Sequence, residues 1–351
     1  MTGAPAPPLV AVDANGADLG PREVLAGAAL AAEQGARVLL FGPARDIGAV
    51  PAGIELVDAP LSIAKTPDPA RAVRGNPDAS IVQAAQAVAV GRAGALVCAG
   101  GTGAALAAGL FTVKRAPGIH RPALALPLPG PNGTVTLLDV GASVEARREH
   151  LVQFAFMGAA LAQSVLGVER PRVALLSNGE EPERGTPVVV EAHRELRERA
   201  AGAPFRFLGN IEGSEAMSGS VDVIVADGFT GNVALKLIEG VSQTVLGAVR
   251  RTATGSPRAK LGGALLLPAL RRFRAQIDPE LQGGAYLLGL RSLGVVPHGR
   301  FSRTGFQHAI LRAQRGAEQE LTAKTHAALQ HAGALRRVPA ADAPVAAAPA
   351  E

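Results

Sequence analysis

The residues of this sequence best suited to chemistry sit among glycines at the ends of apolar runs. In Asp227-Gly-Phe-Thr-Gly-Asn-Val-Ala-Leu-Lys236 an apolar run stops at Asp227, two glycines frame a turn, and an amphipathic segment opens at Asn232. Strand, tight loop and helix N-terminus in that order aim backbone N–H groups and the positive end of a helix dipole at an anion. From these residues alone, a plain strand-to-helix crossover capped by Asn232 reads as well. Cys98-Ala-Gly-Gly-Thr-Gly103 forms another polar, glycine-bearing strand end, and Gly179-Glu-Glu-Pro-Glu-Arg-Gly185 adds a guanidinium at Arg184.

Several familiar chemistries have no footing here. There is no G-x-x-x-x-G-K-[ST] and no G-x-S-x-G, and Gly101-Thr-Gly103-Ala-Ala-Leu106 fails the dinucleotide fingerprint at its third glycine. The seven histidines show neither HExxH nor Cys-paired spacing, which predicts no metal site. The sole cysteine, Cys98, closes an apolar run and reads as a packed side chain before a nucleophile. What remains is anion chemistry whose nucleophile arrives already charged, such as inorganic phosphate attacking an activated acyl group. The protein then supplies positioning, a cation for the phosphate and donors for the oxyanion, with no cofactor. Asn232, Arg184, Lys236 and the glycine loops are suitable types.

The elements that must position these residues alternate along the chain. Apolar runs at 9–13, 37–41, 54–57, 95–99, 123–128, 134–139, 172–177, 205–208, 221–227 and 293–296 read as strands. Longer Ala/Leu-rich segments between many of them read as helices, which predicts an α/β fold: a three-layer, largely parallel sheet with helices on both faces. In such folds ligands gather at the carboxyl ends of strands, and the polar strand ends are expected to converge on one edge. A single domain is expected over 9–335, with a flexible start at 1–8 and a disordered tail at 338–351. Aromatic content of 3% without tryptophan argues against base-stacking platforms, and a net charge of +5 is too mild to imply nucleic acid. No leader pattern opens the sequence and no uncharged run of 18 apolar residues occurs, so a cytoplasmic protein that does not span a membrane is expected.

Together, and in this order, Leu137-Leu-Asp-Val-Gly-Ala142, Gly179–Gly185, Gly209-Asn-Ile-Glu-Gly213 and Asp227–Lys236 resemble the PlsX-type acyl-acyl carrier protein:phosphate acyltransferases. Val12–Asp18, Gly118-Ile-His-Arg-Pro-Ala123, His150–Phe154 and the stretch from Gly283 to Gly299 extend the resemblance to about residues 9–315. It implies formation of acyl phosphate from acyl-acyl carrier protein and orthophosphate, feeding a membrane glycerol-3-phosphate acyltransferase in phospholipid synthesis. It also implies a homodimer lying peripherally on the inner face of the membrane, with a fold similar to isocitrate/isopropylmalate dehydrogenases and phosphotransacetylases. Departures concentrate at Cys98–Gly103, where the family carries Asn in place of Gly101, and at Arg74–Ser80, which keeps one Arg and one Ser of a basic run and paired serines. Arg184 stands where the family has Lys; it retains the charge but disfavours proton transfer.

On this resemblance Asn232 and Arg184 are the expected catalytic residues. Gly101, Thr102, Gly103, Gly231, Asn178, Glu180, Asn210, Asp227 and Lys236 are the expected contacts to phosphate and acyl donor. A separate signal lies in Pro257–Gln276, where Leu261, Leu265, Leu266 and Leu270 alternate with bases including Arg271 and Arg272. This basic amphipathic pattern predicts a tip lying on an anionic membrane surface, split into two short helices by Pro268; a helical pair packing a dimer is the competing reading. A phosphotransacetylase-like enzyme using acyl-coenzyme A and a non-catalytic membrane-associated relative are the alternative functions.

Overall fold

The computed structural model describes residues 6–130, 132–276 and 278–336. The expected flexible start falls partly, and the expected disordered tail wholly, outside the described residues. The chain runs β1 Leu9–Asp13, α1 Pro21–Glu33, β2 Arg37–Gly42, α2 Ala44–Ile47, β3 Ile54–Asp58, α3 Pro69–Gly75, α4 Ser80–Ala89, β4 Ala95–Cys98 and α5 Thr102–Ala108. It continues as β5 Ala123–Gly130, β6 Gly133–Leu138, α6 Arg148–Leu161, β7 Arg172–Ser177, α7 Pro187–Arg199, β8 Arg206–Glu212 and β9 Val223–Val225. The last elements are α8 Gly228–Thr254, α9 Pro257–Gln276, β10 Ala285–Leu288, β11 Leu293–Val296, α10 Arg303–Glu318 and α11 Leu321–His331.

The eleven strands among the described residues form one sheet, in the order β3-β2-β1-β4-β11-β10-β5-β6-β9-β7-β8. Strands such as Val10–Val12 and Val223–Val225 are buried on both faces, as the unbroken apolar runs require. One face is covered by α1, α6, α7, α10 and α11, where Phe154, Phe156, Phe205 and Phe306 fill the core. The other carries α3, α4 and α5 over the β1–β4 side and the first turns of α8 over β6–β9.

Strand direction corrects one expectation. Among the strands of the described residues only β10 against β11, β10 against β5, and β5 against β6 pair antiparallel. Because three reversals separate β11 from β6, β6, β9, β7 and β8 run opposite to β1–β4 and β11. The carboxyl ends of the two blocks therefore leave opposite edges of the sheet, and the polar strand ends do not converge on one.

A second correction concerns Pro257–Gln276, which forms one helix with Pro268 inside it rather than two. Proline removes the hydrogen bond to the Ala264 carbonyl, but Ala264 and its neighbours face solvent, where water replaces the lost donor.

Candidate active site

The edge formed by the carboxyl ends of β6, β9, β7 and β8 is built around the start of α8. Here the chain caps the helix with Asp227, not Asn232. The Asp227 carboxylate accepts the Thr230 amide at 2.9 Å and the Thr230 hydroxyl at 2.7 Å. The Gly228 amide donates to Ser143 Oγ at 3.2 Å, and the Gly231 amide donates to Asp227 O at 2.9 Å, closing the first helical turn. Three of the first four amides are thus committed inside the protein, so the helix start is not the open anion cradle expected from its sequence. Gly231 and Asp227 are structural parts of the cap.

Asp139, at the end of β6, braces this helix start. Its buried carboxylate accepts the Ala142 amide at 2.8 Å, the Ser143 amide at 3.1 Å and the Ser143 hydroxyl at 2.5 Å. Burial pushes its carboxyl up from the ordinary range, against the lowering pull of these hydrogen bonds. The bracing loop touches α8 at its glycines: a Cβ on Gly228 would stand 2.1 Å from Ser143 O, and one on Gly231 2.1 Å from Asp139 O. No other residue allows this approach. Asp139 and Ser143 were not singled out as site residues by sequence reasoning, although Asp139 lies inside a quoted motif.

Asn232 emerges from this brace with its side chain exposed, its amide carbon 4.0 Å from where a Cβ on Gly141 would stand. Arg184 lies on the loop after β7, the strand beside β9, and is exposed with its Nε 3.4 Å from Glu181 Oε2. The two share an edge but make no direct hydrogen bond among the described residues. Asn210 has a structural place: its amide donates to Glu181 O at 2.8 Å while its Oδ1 pairs with buried His193 at 2.9 Å, tying β8 to the Arg184 loop. Asn178 and Glu180 are exposed on that loop. Lys236 is an exposed surface lysine paired with Glu239 at 2.9 Å.

Gly101, Thr102 and Gly103 lie at the opposite edge, after β4, and are not brought to Asn232 within one chain. The loop is pressed between neighbours, since a Cβ on Gly101 would stand 2.7 Å from Ala64 O. Beyond it the amides of Thr102, Gly103 and Ala104 meet no acceptor among the described residues, so of the two helix starts it is this one that is open. Beside it the buried Asp13 carboxylate accepts Ser80 Oγ at 2.6 Å and is pushed up to about 6 by burial. Cys98 is buried too, and burial with the nearby Asp13 charge holds its thiol well above the ordinary range, which removes it as a nucleophile at neutral pH. Among the described residues no cluster of metal-ligating side chains occurs.

The family profile described as "Fatty acid synthesis protein" matches residues 9–324. The chain is 42% identical over 319 residues to a phosphate acyltransferase of Moorella thermoacetica, covering 89% of this chain and 93% of that protein. It is 40% identical over 320 residues to a phosphate acyltransferase of Bacillus licheniformis, covering 90% and 96%. In fold it is similar to a phosphotransacetylase from Streptococcus pyogenes, with TM-score 0.59, 16% identity and coverage of 89% and 94%. A 4-hydroxythreonine-4-phosphate dehydrogenase from Klebsiella pneumoniae gives TM-score 0.51 at 15% identity, covering 88% and 99%.

Proposed function

The chain belongs to the phosphate acyltransferase family, and on that premise we propose that it forms acyl phosphate from an acyl-acyl carrier protein and orthophosphate. A phosphate oxygen attacks the thioester carbonyl, the C–S bond breaks, and the carrier leaves as a thiolate that takes up a proton. The observation that carries this reading is the exposed Asn232 side chain beside the Gly141 loop, at the same edge as Arg184. Asn232 donates to the oxyanion forming on the acyl carbon, and Arg184 neutralises the phosphate. Incubation with acyl-acyl carrier protein and phosphate, with hydroxylamine trapping of the product, tests it. A parallel arm with acyl-coenzyme A separates the phosphotransacetylase-like alternative, which shares the sheet.

Two features support a homodimer on a membrane surface that hands acyl phosphate to a membrane glycerol-3-phosphate acyltransferase. Beyond Leu235, α8 exposes Leu237, Val241, Val245 and Val249 along its length, apolar area suited to a second copy. On α9, Leu261, Leu265, Leu266 and Leu270 are exposed beside exposed Arg271 and Arg272, which suits an interfacial helix on anionic lipid. Among the described residues no helix is long and apolar enough to cross a membrane. Flotation with anionic and neutral vesicles tests the membrane reading, which equal and negligible recovery with both would overturn.

A further inference from the structure

The Asn232 edge continues into a cluster of cations that the reaction does not use. The loop preceding β5, the start of α6 and the segment after α11 meet around two half-buried histidines, His120 and His150, whose rings lie 5.9 Å apart. Hydrogen bonds join the three segments and brace the start of α6. The Arg336 amide donates to Gly118 O at 2.8 Å, the His120 amide to Gln153 Oε1 at 2.9 Å, and the Arg147 amide to His150 Nδ1 at 3.1 Å. Buried Gln153 in turn donates to Gly118 O and Ala334 O, so one amide ties all three segments.

This frame displays Arg115, Arg121, Arg147 and Arg336, all exposed; Arg115 also donates to His120 O, and none of the four is in an ion pair among the described residues. Neighbouring Arg148 is different, because Glu195 holds it at 2.9 Å. Besides Glu195, which is already paired, the nearby carboxylates are Glu145 and Glu149, half the number of the unpaired guanidiniums. Burial, with the surrounding guanidiniums, depresses both histidines, so they add no charge at neutral pH. The loop from Asp139 to Arg147 joins the cluster to Asn232 on the same edge.

We propose that this face, carrying Arg115, Arg121, Arg147 and Arg336, docks an acidic protein surface, which on the reading above is that of the carrier delivering the acyl group to Asn232. Exposed guanidiniums spread over three segments match an extended array of carboxylates, each able to take a bidentate pair, better than one small anion. A lipid surface fits less well. On α9 the bases are interleaved with exposed leucines that could enter a bilayer, whereas Val144 is the one large exposed apolar side chain on the 139–147 loop. Charge complementarity without apolar insertion gives steering and salt-sensitive affinity, as a carrier that must leave after each turnover requires.

The test compares wild type with the R121E/R147E double variant, and with R258E/R271E on α9, using acyl-acyl carrier protein and acyl-coenzyme A as donors. Expected for R121E/R147E is a rise of at least tenfold in KM for the carrier-bound donor, with KM for phosphate unchanged and the wild-type difference shrinking as salt is raised. Direct binding of the carrier protein is expected to weaken by the same factor, and R258E/R271E to leave it at the wild-type value. Should charge reversal prevent folding, R121Q/R147Q at low salt is expected to give a smaller rise of the same kind. Carrier binding and KM unchanged by either Arg121/Arg147 variant overturn the docking face, as does carrier binding lost through R258E/R271E instead. Loss of anionic vesicle binding in R121E/R147E would make the face a lipid site and also overturn it. Wild type that turns over no carrier-bound donor at all sinks the functional reading, and the docking face with it.

Discussion

The Ser143 hydroxyl donates to the Asp139 carboxylate at 2.5 Å and accepts the first amide of α8, from Gly228, at 3.2 Å. One side chain thus joins the β6 loop to the helix that carries Asn232. Ser143→Ala leaves a buried N–H without an acceptor and removes one donor from Asp139. A loss of about 1–3 kcal/mol is expected, read as a lower urea midpoint at unchanged slope.

The same contact makes a glycine-specific prediction. Gly231→Ala places a methyl 2.1 Å from the Asp139 carbonyl, so the loop must retreat and Asn232 shifts with it. Gly240, further along α8, has open space around its Cα. Gly240→Ala is therefore expected to gain about 0.5–1 kcal/mol from backbone entropy alone, while Gly231→Ala loses roughly 1–3 kcal/mol or more. Thermal melting of the two variants side by side checks the contrast.

The sequence made most strands legible because each is a short apolar run, and a run such as Val10–Val12 has nowhere to go but a core. β10 escaped notice. Ala285-Tyr-Leu-Leu288 follows two glycines with positive φ, Gly283 and Gly284, and reads as part of a turn. β10 belongs to the reversals that send the Gly101 loop and the Asn232 loop to opposite edges. Local pattern fixes where a strand is but carries no information on which way its neighbour runs. The cap of α8 could have been found, because Asp227 precedes Thr230 by the three residues an N-cap needs. Packing of Asp139 under the helix start could not, because it depends on β6 and β9 being neighbours.

Asp13 gives the protein a pH signature. Its carboxyl rises from 3.8 to about 6 in the folded chain, so between those values the native state binds a proton that the unfolded state has released. Stability contributed by this group is therefore lost as pH rises from 3.8 through about 6, and is flat above. Both donors, Ser80 Oγ and the Asn15 amide, land on Oδ1, an acceptor that asparagine keeps. Asp13→Asn is expected to gain on wild type by roughly 1–2 kcal/mol between pH 5 and 7.5. Denaturation at both pH values measures the difference, and a constant offset would exclude the ionisation.

Kinetics should sort the cations and amides of the Asn232 edge by what each is free to do. The Asn232 side chain makes no hydrogen bond among the described residues, and its exposed amide is available to a developing oxyanion. Asn232→Ala is expected to lower kcat by on the order of 10²–10³, the range for losing one oxyanion donor. Arg184 is held only by an exposed ion pair with Glu181, which is worth little and yields to a phosphate. Arg184→Ala is expected to raise KM for phosphate more than it lowers kcat, and Arg184→Lys to restore part of the affinity by keeping the charge. Lys236 is an exposed lysine one turn beyond Asn232, paired with Glu239, and with Arg184 already neutralising the phosphate on this reading Lys236→Ala is expected to remain within about twofold of wild type. A large effect at Lys236 with none at Arg184 would move the phosphate from the β7 loop to the flank of α8.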